Sequence, residues 1–253
     1  MSKKIIVANW KMNPQTLAEA QDILSFMESN VKPELAQKSV VVICPPFVFI
    51  EEVSKILSTG RLADLCALGA QDIASKDEHA LTGEVSGEML EKLVRYVIIG
   101  HSERRWKIGE SDAEVNRKLK IALEHNLIPI ICLGEKDIHN REEFLIQQTE
   151  NTFKDLDPQS MARCVIAYEP VWAISTTPDS QPDSPESARE AIEVIKKTLS
   201  QYHPQLVDIR FLYGGSVNSA NAQSFLNEPS IHGLMVGSAS VDKEEFVKIL
   251  LLF

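Results

Sequence analysis

One glutamate is set apart by its neighbours. Cys164-Val165-Ile166-Ala167-Tyr168 is apolar throughout, with β-branched and aromatic members, and reads as a short buried strand. Glu169 follows at its carboxyl end, with Pro170 next. The proline ring fixes its own φ and biases the preceding residue toward extended backbone, so the chain itself aims the carboxylate. Val171-Trp172-Ala173-Ile174 then forms an apolar run that leads into polar, proline-spotted residues without helical period. Such a run is costly in water unless it closes over a site and excludes solvent. A glutamate capping a rim, beside a loop packed for stability, is the plainer reading of the same stretch.

Other reactive residue types also follow apolar runs. Asn9 and Lys11 come after the first, and Gly100-His101-Ser102-Glu103 after the fourth. Gly214-Gly215-Ser216 and Gly237-Ser238 come after the last two. Glycine-rich turns ahead of a helix present backbone N–H groups to an anion. A carboxylate base, an imidazole and a lysine facing that anion suit proton abstraction beside a carbonyl, with fixed donors stabilising the enediolate. Each residue also has a structural reading: Lys11 solvated, His101 capping a helix, Glu103 paired with Arg104 or Arg105, the glycines simply turning the chain. No carboxylate–histidine cluster has metal-ligand spacing, and Ser216 lacks the Gly-x-Ser-x-Gly elbow of a nucleophile.

These residues need elements to bring them together. Strands are expected at Ile5–Asn9, Ser39–Cys44, Leu65–Ala70, Tyr96–Gly100, Pro129–Leu133, Val165–Glu169, Ile209–Tyr213 and Gly233–Gly237. Most are continuously apolar, as parallel strands covered on both faces should be. Helices are expected at Thr16–Glu28, Ile50–Leu57, Val85–Leu93, Ser111–His125, Glu142–Lys154, Pro185–Tyr202, Ala220–Leu226 and Lys243–Leu250. Ser111-Asp112-Ala113-Glu114 fits a capping box, and Ser184-Pro185 puts proline at a first helical position. Eight strands alternating with eight helices in 253 residues predict a closed eight-stranded parallel (β/α) barrel, a single domain spanning residues 1–253. An open doubly wound sheet would carry Gly-x-Gly-x-x-Gly after its first strand; Asn9-Trp10-Lys11-Met12-Asn13 contains no glycine. In a barrel all strand carboxyl ends open on one face, so the residues above share a rim.

Composition narrows the partners. A net charge of −10 disfavours nucleic acid and anionic membranes, and obliges an anionic substrate to find local donors. No segment is long or apolar enough to span a bilayer, and Met1-Ser2-Lys3-Lys4 runs straight into a strand with no signal-peptide core. Cys44, Cys66, Cys132 and Cys164 fall in expected strands without metal spacing and read as buried thiols in a reducing compartment, which places the protein in the cytoplasm; a zinc site or a disulfide pair is the minor alternative.

With these motifs assembled, the chain closely resembles the triosephosphate isomerase family, nearly end to end. The resemblance rests on Asn9 to Asn13, Gly100 to Arg105, Ala167 to Ile174, Tyr213 to Ser216, and Gly233 to Ser240 in the family's order. It implies interconversion of dihydroxyacetone phosphate and glyceraldehyde 3-phosphate, in glycolysis and gluconeogenesis, with no cofactor. Glu169 would move the proton and His101 would act as a neutral electrophile, the roles established for this family. Lys11 and Asn9 would stabilise developing charge, with Glu103 the supporting carboxylate. Backbone N–H groups at Ser175, Ser216, Gly237 and Ser238 would hold the phosphate. The physical case for a neutral His101 is that it opens a helical segment, whose positive end disfavours a further proton.

Departures from the family concentrate in the lid, Ser175 to Ser184. Ser175-Thr176-Thr177-Pro178 stands where Gly-Thr-Gly-Lys is usual, and the segment is a few residues longer. Proline and threonine restrict a hinge, so altered closure with intact chemistry is expected. Ser238 replaces a common glycine; it keeps the N–H donor but tolerates positive φ poorly. The loop 72–84 resembles the family's arm that inserts into a second subunit, implying a homodimer, with Asp72 in place of asparagine and Leu81 in place of an aromatic residue. Two competing readings are a different phosphosugar enzyme, such as an aldolase, and a non-catalytic scaffold barrel. The first would need a Schiff-base lysine or metal ligands; the second would need none of Asn9, Lys11, His101 and Glu169.

Overall fold

A computed structural model of the protein describes residues 3–174, 177, 180–202 and 209–253. Eight parallel strands pair in sequence order and close on themselves. They are β1 Lys4–Asn9, β2 Ser39–Cys44, β3 Cys66–Ala70, β4 Tyr96–Ile99, β5 Ile128–Leu133, β6 Val165–Tyr168, β7 Arg210–Tyr213 and β8 Gly233–Val236. The last strand returns to the first, with Ile5 opposite Gly233 and Ala8 opposite Val236.

Strand alternation sorts the apolar residues into two layers, because successive side chains point to opposite faces. Ile5 and Val7 join Val42, Ile98, Ile130, Val165 and Leu212 inside the barrel. Ile6 and Ala8 face outward and pack with helix residues such as Leu24, Leu119 and Ile192. Both faces of every strand are therefore covered, which is why these segments read as unbroken apolar runs.

The outer layer contains α1 Leu17–Asn30, α2 Leu35–Lys38, α3 Ile50–Leu57, α4 Gly87–Glu91, α5 Asp112–Glu124, α6 Arg141–Thr152, α7 Pro158–Ala162, α8 Pro185–Tyr202, α9 Ala222–Leu226 and α10 Lys243–Leu250. Reciprocal capping boxes start α1 at Thr16 with Glu19 and α5 at Ser111 with Glu114. Two short helices, α2 and α7, were not expected, since neither is long enough to show a period. A signal for α7 was nonetheless present: Asp157 accepts from the Gln159 and Ser160 N–H groups, with Pro158 at the first helical position. The helix expected over Val85–Leu93 shrinks to α4, capped by Ser86. Cys164 is a second correction: it lies in the turn before β6, its N–H donated to Met161 O. All four cysteines are free thiols. Burial pushes Cys66 and Cys164 up to about 12, so neither is a ready nucleophile. Among the described residues no helix is long and apolar enough to cross a membrane.

Candidate active site

The carboxyl ends of the strands converge as the barrel requires. Asn9 is the last residue of β1, and Glu169 is the first residue beyond β6. The Glu169 N–H still donates to Leu133 O of β5 at 2.8 Å, so the sheet ladder fixes its backbone after the strand pattern ends. A Cβ on Gly134 would lie only 1.8 Å from Glu169 O, so the neighbouring strand turns on glycine to let this backbone pass. A single cavity of about 140 Å³ is lined by Asn9, Lys11, His101, Glu169, Ser216, Gly237 and Ser238 among others.

Glu169 is 2% exposed, and both of its oxygens are engaged. Oε1 lies 3.1 Å from His101 Nε2, and Oε2 accepts the Ser102 N–H at 3.0 Å. Burial pushes the carboxyl's pKa up. His101, the Ser102 N–H and Lys11 together outweigh it, and the net shift is downward. The base is therefore held ionised inside a closed site.

His101 precedes a helical turn that continues as the π-helical segment Arg104–Ile108. The first N–H groups of a helix have no partner within it. Here the Ser102 N–H goes to Glu169, and the Glu103 N–H donates to His101 Nδ1 at 3.2 Å. An Nδ1 that accepts carries no proton, so the ring's proton sits on Nε2, facing Glu169. The segment is held from below by Arg105, whose guanidinium donates to Gly100 O at 2.7 Å and Cys132 O at 3.3 Å.

Lys11 occupies left-handed backbone, φ 54°, and its N–H donates to Asn9 Oδ1 at 3.1 Å. Its ammonium reaches Glu103 Oε1 at 3.1 Å. Glu103 thus pairs with Lys11 rather than with Arg104 or Arg105. Burial raises the Glu103 carboxyl, but Lys11, His101 and Lys107 prevail and lower it. Arg104 instead joins Asp72 at 2.9 Å and Glu110 at 3.2 Å.

The glycine turns and the flap frame the rest. Gly214 packs against Glu169: a Cβ there would fall 2.9 Å from Glu169 Cγ. Ser238 opens the short 3-10 turn Ser238–Ser240 and is not among the positive-φ residues, so serine fits there without the strain its replacement of glycine suggested. Of the expected phosphate ligands, Ser216, Gly237 and Ser238 line the cavity, whereas Ser175 lies outside the described residues, as do Thr176 and Pro178 of the lid. The apolar flap run is pinned by Glu135, 1% exposed, whose Oε1 accepts from Trp172 Nε1 at 2.7 Å and from the Tyr168 hydroxyl at 2.8 Å. Glu135 escaped the sequence reading, although it too follows a strand end, one residue after Gly134. Gln71 also escaped it; it follows β3 and donates to the Lys11 carbonyl.

An ionised carboxylate, an imidazole N–H and an ammonium around one small cavity can take a proton from carbon and stabilise the oxyanion that forms. Fold and site together define a parallel-barrel enzyme with its polar groups at the carboxyl rim. The family model described as triosephosphate isomerase matches residues 4–252. A curated triosephosphate isomerase of Moorella thermoacetica is 40% identical, covering 99% of this chain and 98% of that protein. Relatives of the same name from Thermoanaerobacter sp. (strain X514) and Shewanella sp. (strain MR-4) are 38% and 35% identical, over 99% and 98% of this chain and 99% and 96% of their own lengths. The chain belongs to the triosephosphate isomerase family.

Proposed function

We propose that the protein interconverts dihydroxyacetone phosphate and D-glyceraldehyde 3-phosphate, as an enzyme of glycolysis and gluconeogenesis in the cytoplasm. Glu169 takes a proton from one carbon and returns it to the next. In the resting site the carboxylate is parked on His101 and Ser102. Substrate oxygens replace it on Nε2–H, which frees the base toward the substrate carbon. His101 then donates from a neutral ring to the developing oxyanion, while Lys11, steadied by Glu103, and Asn9 stabilise its charge. The phosphate rests on backbone N–H groups of Ser216, Gly237 and Ser238, joined by Ser175. No cofactor enters this scheme.

The observation that carries this reading is the Glu103 N–H donated to His101 Nδ1, which leaves the proton of a neutral imidazole on the nitrogen beside Glu169. An aldolase or a scaffold has no use for that pairing.

A homodimer through the loop 72–84 accompanies the reading. Residues 76–80 and 82–84 of this loop are exposed on the isolated chain. Met12, Phe47 and Ile108 are also exposed, at 85%, 39% and 67%, and border a groove beside Lys11 and Glu103. An apolar rim of this kind calls for cover. A monomer at all concentrations in sedimentation would count against the dimer.

The catalytic test is a coupled assay with glyceraldehyde 3-phosphate on the wild type and Glu169→Asp. Shortening the base by one methylene lowers turnover by about 10²-fold, because proton transfer depends on reach. Wild-type activity untouched by that change would refute the assignment.

A further inference from the structure

Lys11 is a non-glycine residue in left-handed backbone, φ 54°, a conformation that persists in an L-residue only where its surroundings hold it. Two side chains do so here. Asn9 Oδ1 accepts the Lys11 N–H at 3.1 Å, and Gln71 Nε2 donates to the Lys11 carbonyl at 2.8 Å. The same amide nitrogen donates to Cys44 O at 2.9 Å. Cys44 ends β2, and Trp10 N–H also donates to Cys44 O at 3.2 Å. One amide therefore gathers the carboxyl ends of β1, β2 and β3 around the residue that carries the site's ammonium.

We infer that Gln71 is a positioning residue for the reaction, acting through Lys11; this rests on the role proposed for Lys11 above. One of its N–H groups fixes the Lys11 carbonyl while the amide is anchored on Cys44 O, and that carbonyl sets the left-handed turn from which the side chain sets out. The turn decides whether Nζ reaches the cavity and its 3.1 Å contact with Glu103. Without the amide, the Lys11 peptide is free to relax toward ordinary backbone, and the ammonium swings away from the place where negative charge develops. Asn9 alone cannot prevent this, because it holds only the N–H side of the residue.

The test is a double-mutant cycle on the full chain. Gln71→Met keeps the length of the side chain and removes both donors. It is expected to lower kcat about tenfold, with KM changed less than threefold and the sedimentation behaviour of the wild type retained. Lys11→Ala removes the ammonium that Gln71 is inferred to position. In that background Gln71→Met is expected to lower kcat less than twofold further. A purely structural role predicts the same factor in both backgrounds, and that result, or an unchanged kcat in Gln71→Met alone, overturns the inference. If Gln71→Met does not fold, Gln71→Asn, which keeps the amide but withdraws it, takes its place in the cycle. A wild type without isomerase activity would instead fail the functional reading. The inference is then read from the nitrogen-15 resonance of the Lys11 ammonium, which must move in Gln71→Met as Nζ leaves Glu103; an unmoved resonance overturns it.

Discussion

Glu169 Oε1 lies 3.1 Å from His101 Nε2, and this contact is one of those that keep ionised a carboxylate that is 2% exposed. Burial, the largest influence on Glu169, favours the neutral acid. The His101 Nε2–H bond, the Ser102 N–H and the Lys11 charge together overcome it. In His101→Leu the burial remains and that donor is gone. The Glu169 carboxyl should then titrate above its wild-type value. The stability linked to the depressed pKa shrinks with it. A depressed pKa contributes stability above the unfolded value that fades as pH falls through the folded one. Carbon-13 NMR of labelled glutamate carboxyls reads the shift directly. A Glu169 that titrates identically in both proteins removes His101 as the cause.

Gly214 supplies a second handle on the same carboxylate. A Cβ there would sit 2.9 Å from Glu169 Cγ and 3.2 Å from Met235 Cε, too close for both to stay in place. The Glu169 side chain has the cavity to move into. Gly214→Ala is therefore expected to cost about 1–2 kcal/mol in unfolding free energy, an ordinary overpacking penalty. It should also lower kcat by about 10- to 10²-fold, because a displacement under an ångström is enough to spoil proton transfer. Denaturant unfolding and steady-state kinetics check the two numbers. An intact kcat would mean that the base tolerates the push.

What the sequence made legible follows from how far each feature reaches along the chain. Strands buried on both faces appear as apolar runs, and the residue after each run lands on the rim, so Asn9, His101, Glu169 and the glycine turns could be placed together. Local chemistry marked helix starts at Ser111 and Ser184. Features that depend on a neighbour's backbone left no such mark. Gln71 matters through a left-handed turn sixty residues away, and a glutamine after a strand looks like any other polar residue. Glu135 anchors Trp172 across a gap of 37 positions. The Lys11 partner of Glu103 lies 92 positions away and so could not be read from the neighbouring residues, which offered only Arg104 and Arg105. Helices of four or five residues were missed or overextended because they complete little more than one turn.

His125 ties the proposed dimer arm to the barrel. Its Nε2 lies 3.4 Å from Asp77 of the loop 72–84, and its Nδ1 lies 3.0 Å from Glu91 of α4. Burial lowers its pKa, but Glu91 and Asp77 more than compensate and the net shift is upward. A raised histidine pKa contributes stability that is complete below the unfolded value of 6.5 and is lost as pH rises through the folded one. The pairs are solvent-screened, so the contribution is about 0.5–1 kcal/mol. Wild type should therefore lose about 1–3 °C of Tm relative to His125→Asn between pH 6 and pH 8.5. Thermal unfolding of both proteins at the two pH values measures it, and parallel curves would discount the clip.

Asp72, at the start of the loop 72–84, belongs to a cluster of four charges. Lys118 Nζ lies 2.7 Å from Asp72 Oδ1 and also contacts Glu110 Oε1, while Arg104 bridges the same two acids. Two acids and two bases balance, with the Asp72, Glu110 and Lys118 side chains 11%, 4% and 5% exposed. Burial pushes the Asp72 carboxyl up even so, against the pull of Lys118 and Arg104. Lys118→Met leaves two buried carboxylates sharing one arginine, and such an uncompensated charge costs about 3–5 kcal/mol. The pH dependence identifies the cause. With Lys118 gone, Asp72 holds a proton still more tightly in the folded chain than in the unfolded one, so the folded state gains as pH falls. The deficit relative to wild type should shrink from pH 8 to pH 5.5 in urea unfolding. Adding Asp72→Asn to Lys118→Met should recover part of it at pH 8 by removing one orphaned charge. A deficit that stays constant across pH, and that Asp72→Asn does not relieve, would assign the loss to packing of the lysine stem instead of its charge.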